Sequence, residues 1–598
     1  MTAVKLQGMG AIPHAAGVAF RVWAPHATGV FLIGEFNGWS NDADPMEKEE
    51  NGCWYLDTEK AKVGHEYRYR VVAGEREFSR IDPYARQVTN SVGNGVVHDP
   101  DFDWKDDSYQ LPPWNELVIY ELHVGTFNDS KEDGMPGNFE AAAQRLGHLK
   151  RLGVNVVQVM PAAEFAGDYS WGYNPSHIFA VETAYGGPKA FKEFVRAAHR
   201  LGMGVILDVV YNHFGPSDLS LWQFDGWSEN NLGGIYFYND WRAETPWGHT
   251  RPDYGRGEVR QFIRDNALMW LEDFHVDGLR MDMTLYIHSV RPGEDLPDGW
   301  SLAQWVNEEI AAKFPGRITI AEDLQDDEWL TKDTGAGGAG FGAQWDARFV
   351  HPIREAVIGA DDEHRSMFAV RDAIAYAYNG DPFERVVYTE SHDEVANGKA
   401  RVTHEIDPND SRNYFAQKRS TLGAGLVCTA PGIPMLFQGQ EFLEGGWFQD
   451  TVPLDWDLRD EFQGIVRLYR DLIDLRLNRK GHSRGLCGRG VNVYHLNDPQ
   501  NVLVYQRWDQ HGPGDDVVVI VNLSAEPREN YVFGLPCGGT WKLRLNTAWK
   551  GYSKVFSDQP GGDLEAEEGE YDYMTHHAAT GIAPYSMLIY SQDPPAAG

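Results

Sequence analysis

Positive charge is scarce in this chain. Against 88 aspartate and glutamate residues stand 53 lysine and arginine residues, giving a formal net charge of −35 over 598 residues. Such a field repels a phosphate backbone, which argues against nucleic acid as a partner, whereas a neutral polymer is not repelled. Cysteine is also rare. Cys53, Cys428, Cys487 and Cys537 are scattered and form no CxxC pair, which leaves reduced side chains as the expectation and argues against a disulfide framework or a thiolate zinc site. No apolar run approaches the roughly 20 residues of a membrane span, so no membrane partner is expected. The opening MTAVKLQGMGAIPHAAG has neither the basic start nor the apolar stretch of a signal peptide, which points to a cytoplasmic protein. No low-complexity tract or internal repeat is evident.

What the chain does have is length, an ordinary globular balance and many aromatics. Its 598 residues exceed what one core serves, so two to four domains are expected. Hydrophobic residues make up 42% and aromatic residues 13%, with 20 tryptophans. Flat aromatic faces suit the apolar C–H faces of sugar rings, although aromatics are equally ordinary core material.

Three styles of sequence follow one another. Residues 1–105 hold short alternating runs (VAFRVWAP, GVFLIGEF, CWYLDTE, HEYRYRVVAG) broken by Asn37-Gly38 and Asn51-Gly52 turn signals, the pattern of a β-sandwich. Asp101 to Pro113 reads as a linker. From about 116 to 478 strand and helix patterns alternate. VIYELHVGTF, VNVVQVMP, MGVILDVVYNH, DGLRMDM, RITIAED, FGAQWD, RVVYTESHD and PMLFQGQEF are the strand candidates, most followed by helical patterns such as NFEAAAQRLGHLKRLG and PKAFKEFVRAAHRLG. Eight such units predict a closed parallel (β/α)8 TIM barrel. An open doubly wound sheet is the alternative, but no GxGxxG turn opens the first unit, and no cofactor is expected. Residues 479–598 return to strand patterns, from VNVYHL to SMLIYS, and predict a C-terminal β-sandwich in which the acidic GGDLEAEEGEYDY is a solvated loop.

Catalytic side chains of a (β/α)8 barrel sit at the C-terminal ends of strands. Strand three ends with Asp208 and His213, strand four with Arg280 and Asp282, strand five with Glu322 and Asp323, strand seven with His392 and Asp393. Singly, each has a bland reading: an aspartate after a strand is usually a cap or turn former, and a lone histidine is usually structural. Their joint placement on one rim is the informative feature. Paired carboxyls suit glycoside cleavage, one attacking the anomeric carbon and one protonating the departing oxygen. Arg280, two residues before Asp282 and so on the same strand face, is expected to hold the nucleophile ionised. Neighbouring negative charge, from Asp393, is expected to keep Glu322 protonated. His213 and His392 can donate to sugar hydroxyls, and Tyr173 offers a ring to stack on.

The segments DVVYNH (208–213), GLRMD (278–282), ITIAED (318–323) and ESHDE (390–394) resemble the four ordered motifs of glycoside hydrolase family 13, the α-amylase family. MPAAEFAGDYSWGYNP resembles the further motif that follows that family's second barrel strand. The resemblance implies Asp282 as nucleophile, Glu322 as general acid/base and Asp393 as transition-state stabiliser. It also implies Tyr173, Asp208, His213, Arg280 and His392 around the reacting glucose. GVFLIGEFNGWS looks like the N-terminal module of the carbohydrate-binding module 48 type, and the tail like the all-β C-terminal domain of amylases. Two departures matter. Where many amylases carry a Lys-His pair after the nucleophile, this chain reads MTLYIHS. Asn212 matches a calcium ligand of many amylases, but no companion ligands are identifiable and no metal is expected.

The exact reaction rests on finer likenesses. AED, ESHDEVANGK and LNTAWKGY resemble 1,4-α-glucan branching enzymes, while DVVYNHFGP, MPAAEF and TPWG (245–248) resemble maltooligosyltrehalose trehalohydrolases. Branching is the preferred expectation, with an α-glucan or maltooligosaccharide as substrate. Trehalohydrolase or another α-glucan hydrolase is the alternative. A glycan-binding protein on a dead barrel is disfavoured by the presence of all three acids.

Overall fold

The computed structural model describes residues 5–105, 107–129, 134–557 and 561–595. Its centre is a closed barrel of eight parallel strands: β1 (Ile119–Leu122), β2 (Val156–Val159), β3 (Gly204–Val209), β4 (Gly278–Met281), β5 (Ile318–Ala321), β6 (Ala343–Trp345), β7 (Arg385–Val387) and β8 (Ile433–Phe437). Strands β1 and β8 pair in parallel and close the ring. Nearly all strand residues are buried, because helices cover the outside and side chains fill the inside, which is why these segments read as continuous Val/Ile-rich runs. All eight expected strands are present. The first is shorter than its apolar run: it stops at Leu122, and Val124–Phe127 turns helical.

The barrel interior changes character along its axis. Ile119, Val156, Ile206, Ile318, Ile320, Val386, Ile433 and Met435 form one aliphatic cluster. Two residues further along their strands, on the same face, come Glu121, Asp208 and Glu322; Arg280 follows Gly278 in the same way. The register sets Asp208 beside Arg280 on neighbouring strands. The period of two thus delivers an apolar floor and a charged layer above it.

Among the outer helices, Gly187–Arg200, Gly257–Glu272, Pro297–Lys313, Tyr414–Thr429 and Gln463–Arg476 match the helical patterns in the sequence. The pattern NFEAAAQRLGHLKRLG is not one helix but two, Phe139–Ala143 and Leu146–Leu152, broken at Gln144 and Arg145. Helices Ala347–Ile358 and Met367–Ala375 gave no clear signal; the first runs through Pro352.

The N-terminal region packs two four-stranded sheets face to face. Val18, Phe20 and Val22 from one meet Leu32, Tyr67, Tyr69 and Val71 from the other, with the Phe20 and Tyr67 rings 5.0 Å apart edge to face. The Asn51-Gly52 turn has both residues at positive φ, and a Cβ on Gly52 would lie 2.6 Å from Cβ of Pro25. The C-terminal region is one eight-stranded sheet that curls around its own core of Val504, Ile520, Phe533, Leu535, Trp541 and Tyr590. The acidic stretch expected as a loop is instead the strand Leu564–Tyr571. It points its glutamates outward and pairs with Gly539–Asn546 and Met574–Ile582. Poor strand propensity is overridden there by a partner on each side. Residues 558–560, just before this stretch, lie outside the described residues.

The C-terminal sheet is anchored to the barrel by Tyr414–Thr429, every residue of which from Ala416 on is buried. A Cβ on Gly425 would come within 2.9 Å of Met587 Sδ, Thr429 Oγ1 lies 2.5 Å from Tyr505 OH, and Arg507 donates to the Thr429 carbonyl. The four cysteines are unpaired. No helix among the described residues is long and apolar enough to cross a membrane.

Candidate active site

Arg280 is the hub. Wholly buried, it donates from Nη1 to both oxygens of Asp208, at 2.8 and 2.7 Å, and to Asp282 Oδ1 at 3.0 Å. Its Nη2 lies 2.7 Å from Glu322 Oε2. The guanidinium also faces the Trp345 ring at 4.3 Å, which fixes its plane from the β6 side. One cation therefore holds three carboxyls from three successive strands, and Asp282 and Glu322 come together around one planar fork.

The two carboxyls differ in their partners. Asp282 has a donor on each oxygen, Arg280 on Oδ1 and the Asn212 amide at 2.8 Å on Oδ2. Glu322 accepts the Met283 backbone N–H at 3.0 Å on Oε2, while its Oε1 is buried without a partner. Burial and the adjacent charge of Glu322 raise the Asp282 pKa well above the usual carboxylate range, against the pull of Arg280. Arg280 thus opposes the shift, as expected, but does not outweigh it. Burial is the larger cause and the Glu322 carboxylate the second. Asp393, beyond the end of β7, has 42% of its side chain exposed and accepts from Asn397 at 3.1 Å.

The remaining expected residues gather on the same rim. Tyr173 donates to Asp208 Oδ2 at 2.7 Å and stacks on His392, rings 4.8 Å apart. Gly172 makes this possible: at φ 94° its missing Cβ would sit 2.3 Å from the Pro161 carbonyl. Burial raises Asp208 to about 6 despite Arg280. His213, lowered to about 3 by burial and then by Arg251, is a neutral ring whose Nδ1 pairs with Asn212 Oδ1. It stacks on Trp247 at 4.4 Å. His392 behaves oppositely. Burial alone would lower it, but Glu121 and Asp393 outweigh burial and raise it to about 9.

Asp323 faces away from this group, accepting from Thr284 Oγ1 at 3.0 Å and pairing with His288. His288 comes from the MTLYIHS segment that departs from the amylase pattern. Asn212, matched in sequence to a metal ligand, has both amide functions engaged with Asp282 and His213. Among the described residues no group of three acidic, histidine or cysteine side chains is arranged to hold a metal.

Residues 122–464 match the family profile for the α-amylase catalytic domain. The chain belongs to the α-amylase family, glycoside hydrolase family 13. Around this α-amylase-family barrel, residues 8–85 match carbohydrate-binding module 48 (isoamylase N-terminal domain) and 494–593 the α-amylase C-terminal all-β domain. Relatives span nearly the whole chain. The 1,4-alpha-glucan branching enzyme GlgB of Rhodospirillum rubrum is 31% identical over 97% of this chain and 80% of its own length. That of Paramagnetospirillum magneticum is 32% identical over the same shares, 97% and 80%. In fold, the chain is similar to a putative α-amylase from Salmonella typhimurium, with a TM-score of 0.75, 23% identity, and 98% and 100% of the two chains covered. It is likewise similar to a pullulanase from Anoxybacillus sp. LM18-11, with a TM-score of 0.75, 23% identity, and 98% and 88% covered.

Sequence reading missed Glu121, Trp345 and the positioning part of Asn212. The signal for Glu121 was present: it follows the inward-facing Ile119 by two residues, inside an apolar strand. Trp345 ends β6 in the same way, two residues after Ala343. Nothing in the sequence marked Asn212 as bound to Asp282 rather than to a metal.

Proposed function

We propose that the protein is a 1,4-α-glucan branching enzyme. It cleaves an α-1,4-glucosidic bond with retention, through a glycosyl–enzyme ester, and transfers the released segment to a 6-hydroxyl. The observation that carries this reading is the Arg280 fork, which brings Asp282 and Glu322 together at the C-terminal end of the barrel. Likeness to curated branching enzymes over 97% of the chain supports the particular reaction.

The hydrogen bonding divides the labour. Asp282, with a donor on each oxygen to receive its anionic form against the upward pull of burial, is suited to be the nucleophile. Glu322 Oε1, with no protein partner, is the free atom from which a proton reaches the departing oxygen. As the C1–O4 bond breaks, Asp282 bonds to C1 and Glu322 gives up its proton. In the second half, the Glu322 carboxylate takes the proton of an incoming 6-hydroxyl, whose oxygen displaces Asp282. Asp393, exposed at the rim, acts as transition-state stabiliser, His392, His213 and Asp208 bind sugar hydroxyls, and Tyr173 supplies a stacking face. Oxocarbenium charge develops between carboxylates already in place, which is where electrostatic stabilisation is most effective.

The substrate on this reading is an α-glucan or maltooligosaccharide, with the compartment cytoplasmic, in keeping with four unpaired cysteines. The working divisions of the chain are 1–105, 106–478 and 479–598. Incubation with amylose and linkage analysis tests the reaction. New α-1,6 linkages without growth in reducing ends are the expected outcome. Reducing sugar alone, or release of trehalose from maltooligosyl trehalose, would replace branching with hydrolysis.

A further inference from the structure

We propose that Glu121, at the end of β1, is a positioning residue that holds His392 as a doubly protonated imidazolium between two carboxylates, so that its Nε2–H faces Asp393 and the reacting sugar. This rests on the reading of Asp282, Glu322 and Asp393 as the reacting acids.

The geometry specifies a carboxylate at position 121. Glu121 is fully buried and grips His392 twice: Oε1 lies 2.7 Å from the ring Nδ1, and Oε2 accepts the His392 backbone N–H at 3.1 Å. The backbone N–H can only donate, and an ionised Glu121 can only accept, so Nδ1 facing it must carry a proton. A glutamine would accept the backbone N–H and turn its NH2 to Nδ1, which favours the neutral ring with Nδ1 bare. With Nδ1–H committed to Glu121, Nε2 is the other choice point. It sits 3.7 Å from Asp393 Oδ1. A bare nitrogen lone pair there would repel the carboxylate, whereas an N–H attracts it.

The groups around the ring weigh on both sides. Arg280 opposes the charge on His392. The Tyr173 ring stacks on one face, its hydroxyl donating to Asp208 and lying 3.4 Å from Nδ1, and the Trp171 and Trp345 rings lie 5.8 and 6.0 Å away. His123, close enough to feel the His392 charge, is held neutral by burial, lowered to about 4. Of the charged groups that bear most on His392, the two acids prevail, raising it to about 9. His392 and His213 are therefore not equivalent sugar ligands. His213 is a neutral ring that depends on Asn212 for its tautomer, and His392 is a fixed cation that partly neutralises Asp393 and Asp208.

Two measurements on the full chain test this. NMR titration of ring-labelled histidine, assigned with His392→Gln, should show His392 titrating above pH 8 in the parent and below pH 7 in Glu121→Gln. Parent titration below pH 7 overturns the proposal without need of any variant. The ratio of kcat/KM on amylose, Glu121→Gln over parent, should fall at least tenfold further at pH 8.5 than at pH 6, because only the parent ring is still charged at the higher pH. A ratio equal at both pH values reduces Glu121 to packing and overturns the proposal. If the parent shows no activity on any α-glucan, the functional reading fails, and the NMR titration still decides the state of His392.

Discussion

Two arginines of the barrel, both without solvent exposure, are placed in opposite circumstances. Arg385, at the start of β7, has every nitrogen spent. Nη1 donates to Asp346 at 3.0 Å and to the Ala373 carbonyl at 2.8 Å, Nη2 to the carbonyls of Ile374 and Pro431, both at 2.9 Å, and Nε to Pro431 at 3.2 Å. One cation meets one anion and neutral acceptors. Arg280 meets three carboxyls and leaves its Nε buried without a partner. The first arrangement is saturated and holds β6, β7 and the helix Met367–Ala375 together. The second carries an excess of acid that only a bound proton or a substrate can relieve. The same side chain serves architecture where its valences are filled and chemistry where they are contested.

The sharpest way to break this contrast is to remove one contested acid. Asp282→Asn and Glu322→Gln should each lower kcat on amylose by about 10³-fold or more while the fold persists. Their melting temperatures should match or exceed that of the parent, since removing one charge relieves repulsion around Arg280. A clear fall in melting temperature would mean the Arg280 cluster is as saturated as that of Arg385. At the saturated site the signs reverse. Arg385→Met should cost about 3–5 kcal/mol of stability, by leaving Asp346 buried and unpaired. Activity per folded molecule, measured by active-site titration, should be unchanged.

A pH series separates the two further. The His392 pKa is raised to about 9 in the folded chain, so its contribution is complete below the unfolded value of about 6.5 and is lost as pH rises through about 9. Denaturant unfolding should therefore show about 3 kcal/mol of stability disappearing across that window, a slope flattened in Glu121→Gln. The smallest effect is expected from Trp247, 37% exposed and stacked on His213. Trp247→Ala should raise KM by roughly two- to tenfold with little change in kcat, as loss of one aromatic stack warrants.

The contrast also shows what sequence could and could not reveal. The barrel was legible because parallel strands buried on both faces leave unbroken apolar runs, such as VILDVV, closed by polar residues. The rim residues were legible because strand ends are where such a barrel exposes chemistry. Partner choice was not. Arg280 was visible beside Asp282, but nothing local indicated that it would also take Asp208 and Glu322. The Arg280 contacts depend on the register between neighbouring strands. The helix Ala347–Ile358 hid behind Pro352, and Leu564–Tyr571 hid behind its glutamates. In both, tertiary pairing overruled local preference.

The helix Tyr414–Thr429 has a practical corollary. Wrapped by the barrel on one flank and by Tyr505 and Met587 on the other, it behaves as a shared wall between two rooms. Shortening the chain near residue 480 would leave that wall greasy and wet on one side, so the catalytic portion is not a detachable cassette. Trimming or domain-exchange designs must carry the tail along or repaint the strip it covers.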